Sequence, residues 1–147
     1  MKTYVLCTTL DQDAIDTLKK VKEKIDLKNS VIYIVTVFEV HVYNVDFTPY
    51  VYPSEAQYGE IEKAAKNVMD LLASSLDIPK HNISTKCLFD YSREDKIQEF
   101  LTEVKADLVV TATRGKHGIA GFFSSSFTDY LCKFSPCDVL VMRPAKN

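Results

Sequence analysis

Short β-branched segments alternate along this chain with segments whose apolar residues recur at helical spacing. The strand-like segments are residues 3–8, 30–42, 83–89, 106–112 and 138–142. Between them, apolar residues recur every three or four positions, which indicates helices. Alternating strands and helices favour a parallel sheet with helices on both faces and right-handed crossovers. The sequence therefore predicts an α/β three-layer sandwich around a five-stranded, mostly parallel sheet.

The second strand-like segment, residues 30–42, is too uniformly apolar for a one-sided surface strand, so we place it centrally in the sheet. Residues 43–57 carry two prolines and three tyrosines without a clean period, which favours an ordered loop. Ser54 and Gln57 at its end form a capping-box pattern for a long helix that Pro79 ends.

Capping residues also mark the other helices. Asp11 or Asp13 can cap the first helix, and Ser92 with Asp95 can open the third. The fourth helix is predicted from apolar residues at spacings of four and three, namely Phe127, Leu131 and Phe134.

The composition limits the class of protein. The chain has 147 residues, a formal net charge of -2 and 46% hydrophobic content, which predicts one domain over residues 1–147 with an ordinary core. The near balance of charge argues against nucleic-acid binding. Because no apolar run approaches ~20 residues and the apolar start is too short for a signal peptide, we expect a cytoplasmic protein without a membrane partner.

Four cysteines are spread along the chain without C-x-x-C spacing: Cys7, Cys87, Cys132 and Cys137. In a reducing compartment disulfides are not expected. We interpret the four residues as buried or half-buried free thiols without a chemical role.

Three of the four glycines, Gly115, Gly118 and Gly121, fall within seven positions after the fourth strand. The serines at 124–126 then open the predicted fourth helix. Backbone N–H groups, hydroxyls and a helix N-terminus form an anion site, and Arg114 can add a charge-assisted contact to phosphate. The same residues also fit a simple turn followed by a serine cap. Both interpretations remain open at this point.

The segment "ADLVVTATRGKHGIAGFFSSSFTDYLCKFSPCDVLVMRP", residues 106–144, resembles the carboxyl-terminal signature of the universal stress protein family. In that signature an ADLIV-type strand runs into G-x-x-G-x9-G-[S/T], a helix and a final PVLVV-like strand. The segment "YVLCTTLDQDAIDTL" stands where the family has its first strand. The resemblance implies a Rossmann-like fold of the adenine nucleotide alpha hydrolase type and a cytosolic stress-response or regulatory role.

The chain departs from the family's ATP-binding pattern at three positions. The spacing of the pattern is kept, and Gly115 and Ser126 match it in type. Ala112 stands in place of the first glycine, Ser125 in place of the third, and Thr9 in place of the aspartate after the first strand. The resemblance therefore implies a degenerate adenine-nucleotide site, with Mg²⁺ if the ligand is ATP. The alternative is a dimeric interaction protein of the same fold that binds no nucleotide.

The resemblance also assigns the candidate site residues. The adenine would lie against the backbone near Val37, Thr8 and Thr9 would flank the sugar, and the phosphates would lie beyond the fourth strand. The complete nucleotide-binding set is Thr8, Thr9, Val37, Ala112, Arg114, Gly115, Ser125, Ser126, Phe127 and Thr128.

The final strand, Asp138–Met142, is an apolar edge candidate, and in this family it commonly pairs with its copy. We therefore expect a homodimer; the alternative is an edge protected by the arginine and proline that follow.

Catalysis is not expected beyond slow ATP hydrolysis, because the chain has no G-x-S-x-G or G-x-x-x-x-G-K-[S/T] motif and only His117 lies in the candidate loop. A phosphoacceptor receiver domain would use Asp11, Asp13 and Asp90, but threonines stand where its acidic cluster begins. Flavin binding would require the aromatic segment at 43–52 to enclose a ring.

Overall fold

The computed structural model describes residues 1–113 and 121–144, with the side chains of 121–126 excepted. Its main sheet has five parallel strands in the spatial order β5-β2-β1-β6-β7. These strands are β1 (Lys2–Cys7), β2 (Ser30–Glu39), β5 (Ile83–Asp90), β6 (Leu108–Ala112) and β7 (Asp138–Met142). The predicted α/β sandwich is confirmed.

Within the described residues, four α-helices cover the two faces of the sheet: α1 (Gln12–Leu18), α2 (Glu55–Ser75), α3 (Arg93–Glu103) and α4 (Gly121–Phe134). Short 3₁₀ segments follow α1 at Lys19–Glu23 and precede β5 at Lys80–Asn82. None of the helices in residues 1–113 and 121–144 is long and apolar enough to cross a membrane.

Alternate residues of each strand enter two separate cores. Leu6 of β1 packs in the core with α1 and α2, whereas its neighbour Val5 packs in the core with α3 and α4. In the central β2, Ile34 and Val35 divide in the same way. Burial on both faces is the reason that this strand carries a continuous apolar run instead of an alternating one.

The predicted caps are present. The Asp11 side chain accepts a hydrogen bond from the Ala14 backbone N–H at 3.0 Å, and Ser92 accepts one from the Asp95 backbone N–H at 3.2 Å. Ser54 and Gln57 form a capping box at the start of α2. These bonds satisfy amide groups that the first turn of a helix leaves without partners.

The prediction of a loop over residues 43–57 was wrong. Strand β2 ends at Glu39, and the chain forms an antiparallel hairpin of β3 (His41–Val45) and β4 (Thr48–Tyr52), apart from the main sheet. Its two-residue turn places Asp46 and Phe47 at φ 49° and 66°. A turn of this kind normally carries glycine in its second position. Phe47 stands there instead, so the sequence lacks the pattern by which such hairpins are recognised.

The fourth helix differs from its prediction in two respects. It begins at Gly121, three residues before the serines that were expected to open it. Phe127 and Leu131 are buried as predicted, but Phe134 is 59% exposed. Phe134 is the last residue of α4.

Candidate functional site

The strand order reverses between β1 and β6. From β1 the chain crosses to β2 over the face that carries α1, whereas it reaches β6 from β5 through α3 on the other face. The two connections diverge and leave a crevice at the carboxyl ends of the neighbouring strands. Parallel α/β sheets bind their ligands at this position.

A cavity of about 420 Å³ opens at this crevice. Its volume falls within the range of ~300–1,000 Å³ that is usual for small-molecule sites. The lining comes from the ends of β1, β2 and β6 and from the adjoining helices: Cys7, Thr8, Thr9, Leu10, Ala14, residues 35–39, His41, Arg93, Thr111, Ala112 and Phe127.

The cavity brings together five of the ten site residues named from the sequence: Thr8, Thr9, Val37, Ala112 and Phe127. They come from both ends of the chain and meet because β1 lies between β2 and β6.

The other five are placed differently. Thr128 is buried in α4 but does not line the cavity, and its hydroxyl has no hydrogen-bond partner within the part of the chain that the structure describes. Ser125 and Ser126 lie in α4, but their side chains are outside the described set. Arg114 and Gly115 fall outside the described residues.

The corner after β1 is fixed by local hydrogen bonds. The Thr8 backbone N–H donates to the Val35 carbonyl at 2.9 Å, and the Thr8 hydroxyl donates to the Thr9 carbonyl. The Thr9 hydroxyl donates to the Asp11 carboxylate at 2.5 Å. Thr9 removes the carboxylate that the family pattern has at this position, but Asp11 supplies one two residues later. The oxygen of Thr9 can still accept a hydrogen bond.

The backbone conformation is compatible with the two residues that stand in place of glycines. Ala112 is the last residue of β6 and pairs with Met142, so its backbone is extended. Ser125 lies within α4, so its backbone is helical. Neither position requires the positive φ that glycine adopts most readily. At Ala112 the change therefore acts through the space that its methyl group takes from the cavity.

Because α4 begins at Gly121, the backbone N–H groups of the three serines lie further along the helix than the sequence predicts. The first four N–H groups of a helix have no intrahelical acceptor. These four groups include the N–H of the capping residue, so the fourth residue of a helix already has an acceptor, as Ile15 in α1 and Lys96 in α3 show. In a helix that begins at Gly121, Ser124, Ser125 and Ser126 therefore all follow the free N–H groups.

A charged cluster in the cavity wall was missed by the sequence analysis. The Arg93 backbone N–H donates to Glu39 Oε1 at 3.3 Å, and Arg93 Nε lies 3.8 Å from the same oxygen. His41 Nε2 is 3.7 Å from Glu39 Oε2. The Arg93 guanidinium carbon lies 5.7 Å from the centroid of the Phe127 ring. Glu39, which interrupts the apolar run of β2, was the available sequence signal.

Comparison with known proteins identifies the family to which this fold and site belong. A model of the universal stress protein family matches residues 1–143. The chain belongs to this family. A Staphylococcus saprophyticus protein named as a universal stress protein is 28% identical over 134 residues, which are 88% of this chain and 72% of that protein.

Solved universal stress proteins share the Rossmann-like fold. One in complex with cAMP is 20% identical, with 98% of each chain covered and a TM-score of 0.64. The Archaeoglobus fulgidus protein in complex with dAMP is 13% identical, with 97% of this chain and 98% of that chain covered and a TM-score of 0.62.

The cavity of this chain is lined in part by the thiol of Cys7. Burial raises the pKa of Cys7, and the nearby Cys137 adds to the shift. The side chain therefore remains a neutral thiol at physiological pH, whereas the thiolate is the nucleophilic form of cysteine. Cys87 and Cys137 are partly buried and Cys132 is exposed, so only Cys132 departs from the predicted burial. All four cysteines are free thiols.

The Arg93–Glu39 pair yields a stability prediction. Arg93→Met removes the guanidinium from the Phe127 ring and leaves the half-buried Glu39 carboxylate without this charged partner, so the free energy of unfolding should fall by about 1–2 kcal/mol. Urea denaturation measures the change, and a double variant with Glu39→Gln should lose less than the sum of the single variants. Lys66→Met is the control, because it breaks the exposed Lys66–Asp70 pair and should lose below about 0.5 kcal/mol. Equal losses for the two methionine variants would contradict this interpretation.

Cys87 yields a pH prediction. Burial, with a further contribution from Glu62, raises its pKa from 9.0 to about 11. Above pH 9.0 the unfolded chain therefore releases this proton before the folded chain does, and the free energy of unfolding should decrease as the pH rises toward about 11. Urea denaturation at successive pH values should show a shallower decrease for Cys87→Ala than for the parent chain. Identical slopes for the two chains would refute the assignment to this thiol.

Proposed function

We propose that this chain binds an adenine nucleotide in the cavity between β1, β2 and β6 and acts as a nucleotide-responsive regulatory module. The observation that carries this proposal is the convergence of Thr8, Thr9, Val37, Ala112 and Phe127 on one cavity at the reversal of strand order. The cAMP and dAMP complexes of fold relatives support the choice of an adenine nucleotide. A cytosolic stress-response role, carried by a single domain over residues 1–147, belongs to the same proposal.

In the proposed complex the base lies against the end of β2 near Val37 and the sugar lies against Thr8 and Thr9. The phosphates extend past Ala112 toward Arg114, Gly115 and the start of α4, where Ser125, Ser126 and Thr128 complete the set. The buried Thr128 hydroxyl supports this direction, because it has no hydrogen-bond partner among the described residues and a buried hydroxyl favours a polar partner. If the ligand is ATP, Mg²⁺ would bind with its phosphates.

The affinity should be lower than that of a site with the full motif. Each lost hydrogen bond reduces the binding free energy by about 0.5–1.5 kcal/mol, or by more where the acceptor is charged. The Ala112 methyl group also takes space in the cavity. Together these changes correspond to binding that is tenfold to several-hundredfold weaker, where about 1.4 kcal/mol is a factor of ten. The chain would then respond to nucleotides at metabolic concentrations instead of retaining them tightly.

Calorimetric titration tests the proposal. AMP, ADP, ATP and cAMP should be compared with GMP and GTP as matched controls that carry the same phosphates. We expect saturable heat from at least one adenine nucleotide and weaker binding of its guanine counterpart. The absence of heat from every adenine nucleotide at millimolar concentration would instead support the alternative, a dimeric interaction protein of the same fold without a nucleotide.

We further propose a homodimer that forms through β7. This strand lies at the edge of the sheet, and Val139, Leu140 and Val141 are only partly buried in the single chain. An uncovered apolar edge favours pairing with another strand. A Val141→Lys variant should lower the molar mass in solution, whereas an unchanged mass would argue against pairing at this edge.

A further inference from the structure

The hairpin of β3 and β4, residues 41–52, is here called the arm. All ten residues of its two strands are exposed. Seven large apolar side chains on the arm are between 40% and 104% exposed: Val42, Tyr43, Val45, Phe47, Tyr50, Val51 and Tyr52. A two-stranded hairpin without further contacts is marginally stable in water. Such exposed apolar side chains on a hairpin are typical of a surface that packs against a partner.

The exposed apolar area of the arm is larger than that of an ordinary surface patch. At ~150–250 Å² for each fully buried aromatic side chain, and somewhat less for valine, the seven side chains present roughly 700 Å² of apolar surface. The largest apolar patch of a typical monomer is ~300–600 Å². A stable interface buries about 800 Å² on each partner. Because the seven side chains are divided between the two faces and the turn of the arm, one face supplies only part of one side of such an interface.

The two faces of the arm differ. Directly opposed residues of an antiparallel pair share a face, so Tyr43 with Tyr50 and His41 with Tyr52 lie on one face, which we call the aromatic face. The rings of Tyr43 and Tyr50 are stacked with centroids 5.3 Å apart. Tyrosine combines large apolar area with a hydroxyl that tolerates a wet rim, which is why it is enriched at interfaces.

The charge of the arm fits a second copy of the same chain. Asp46 is its only acidic residue, His41 is its only histidine, and it contains no lysine or arginine. Two copies of the aromatic face can therefore approach without like-charge repulsion. Exposed strands of monomeric proteins are usually protected by charged residues, lysine above all. The aromatic face has no such protection.

We propose that the arm is a self-association element in which the aromatic faces of two copies pack against each other about a two-fold axis. The occupant is thus a second copy of this chain, and the contact is separate from the β7 edge. The arm follows β2, which neighbours β5 at the opposite edge of the sheet from β7. Two different symmetric contacts on one chain build an assembly larger than a dimer.

The test is the molar mass in solution, measured by sedimentation equilibrium over a range of protein concentrations. The arm variant is Tyr43→Thr combined with Tyr50→Thr, because threonine keeps strand propensity while it removes the aromatic surface. Leu71→Gln is the control, since it removes an even more exposed apolar side chain, from α2. We expect the arm variant to have half the mass of the parent chain and Leu71→Gln to have the parent mass.

Two further measurements distinguish the arm contact from pairing at the β7 edge. Val141→Lys tests the β7 edge, and its combination with the arm variant should be a monomer if both contacts form. Amide hydrogen exchange in residues 41–52 should slow as the parent concentration rises, but it should not change with concentration in the arm variant. A folded arm variant with the parent mass, or a parent chain that is monomeric at every concentration, would overturn the proposal. Open-ended growth of Val141→Lys, which retains only the arm contact, would also overturn it, because a single two-fold contact closes at a dimer.

Discussion

Ala112→Leu is expected to lower the affinity for adenine nucleotides at least about a hundredfold, which corresponds to a loss of about 2.7 kcal/mol or more. Ala112 ends β6 at the cavity wall, and its side chain lies next to the predicted path of the phosphates. A branched four-carbon side chain at this point would occupy space that the ligand needs. The open side of the cavity should let the folded chain accept the larger residue. Calorimetric titration with AMP and ATP measures the effect.

Ala64→Leu is the matched control, because it makes the same chemical change at an exposed position of α2. It should bind nucleotides as the parent chain does. Ala112→Gly restores the glycine of the family pattern and should tighten binding several-fold, with a loss of stability of about 0.5–1 kcal/mol from the more flexible strand end. If folded Ala112→Leu keeps the parent affinity, the nucleotide binds somewhere other than this cavity.

Leu131→Ala is expected to lower the free energy of unfolding by about 2–5 kcal/mol. The Leu131 side chain is fully buried in the core with α3, where it joins Phe127 and Phe100. Its truncation removes apolar contacts and leaves a void that the neighbouring elements fill only in part. Because the same helix carries Phe127 in the cavity wall, nucleotide binding should weaken as well. Urea denaturation and calorimetry measure the two effects.

The same truncation at Leu71 serves as the comparison. This leucine lies on α2 and is 67% exposed, so Leu71→Ala should change the free energy of unfolding by less than about 0.5 kcal/mol. Comparable losses at the two positions would mean that α4 does not pack on the sheet as described.

The main sheet was predictable because both of its faces are buried. Continuous β-branched runs are typical of such strands, and the helices between them have polar caps that can be read locally, as Ser54 and Ser92 illustrate. The arm was not predictable in this way. Its turn holds Phe47 at a positive φ, a position for which the recognised sequence signals require glycine or asparagine.

The candidate site was predictable only in part. Thr8, Thr9, Val37 and Ala112 follow from the rule that ligands lie at the carboxyl ends of strands where the order reverses, together with the family resemblance. The Glu39–Arg93 contact joins residues 54 positions apart and has no local sequence pattern. It exists because β2 and β5 are neighbours, and this pairing appears only when the sheet is assembled.

A crystal structure of the protein grown with a saturating concentration of AMP tests the proposed nucleotide site most directly. We expect AMP in the cavity between β1, β2 and β6, with its base in contact with Val37 and its sugar beside Thr8 and Thr9. A cavity filled by the chain's own side chains in the presence of AMP, or AMP bound elsewhere on the molecule, would contradict the proposal.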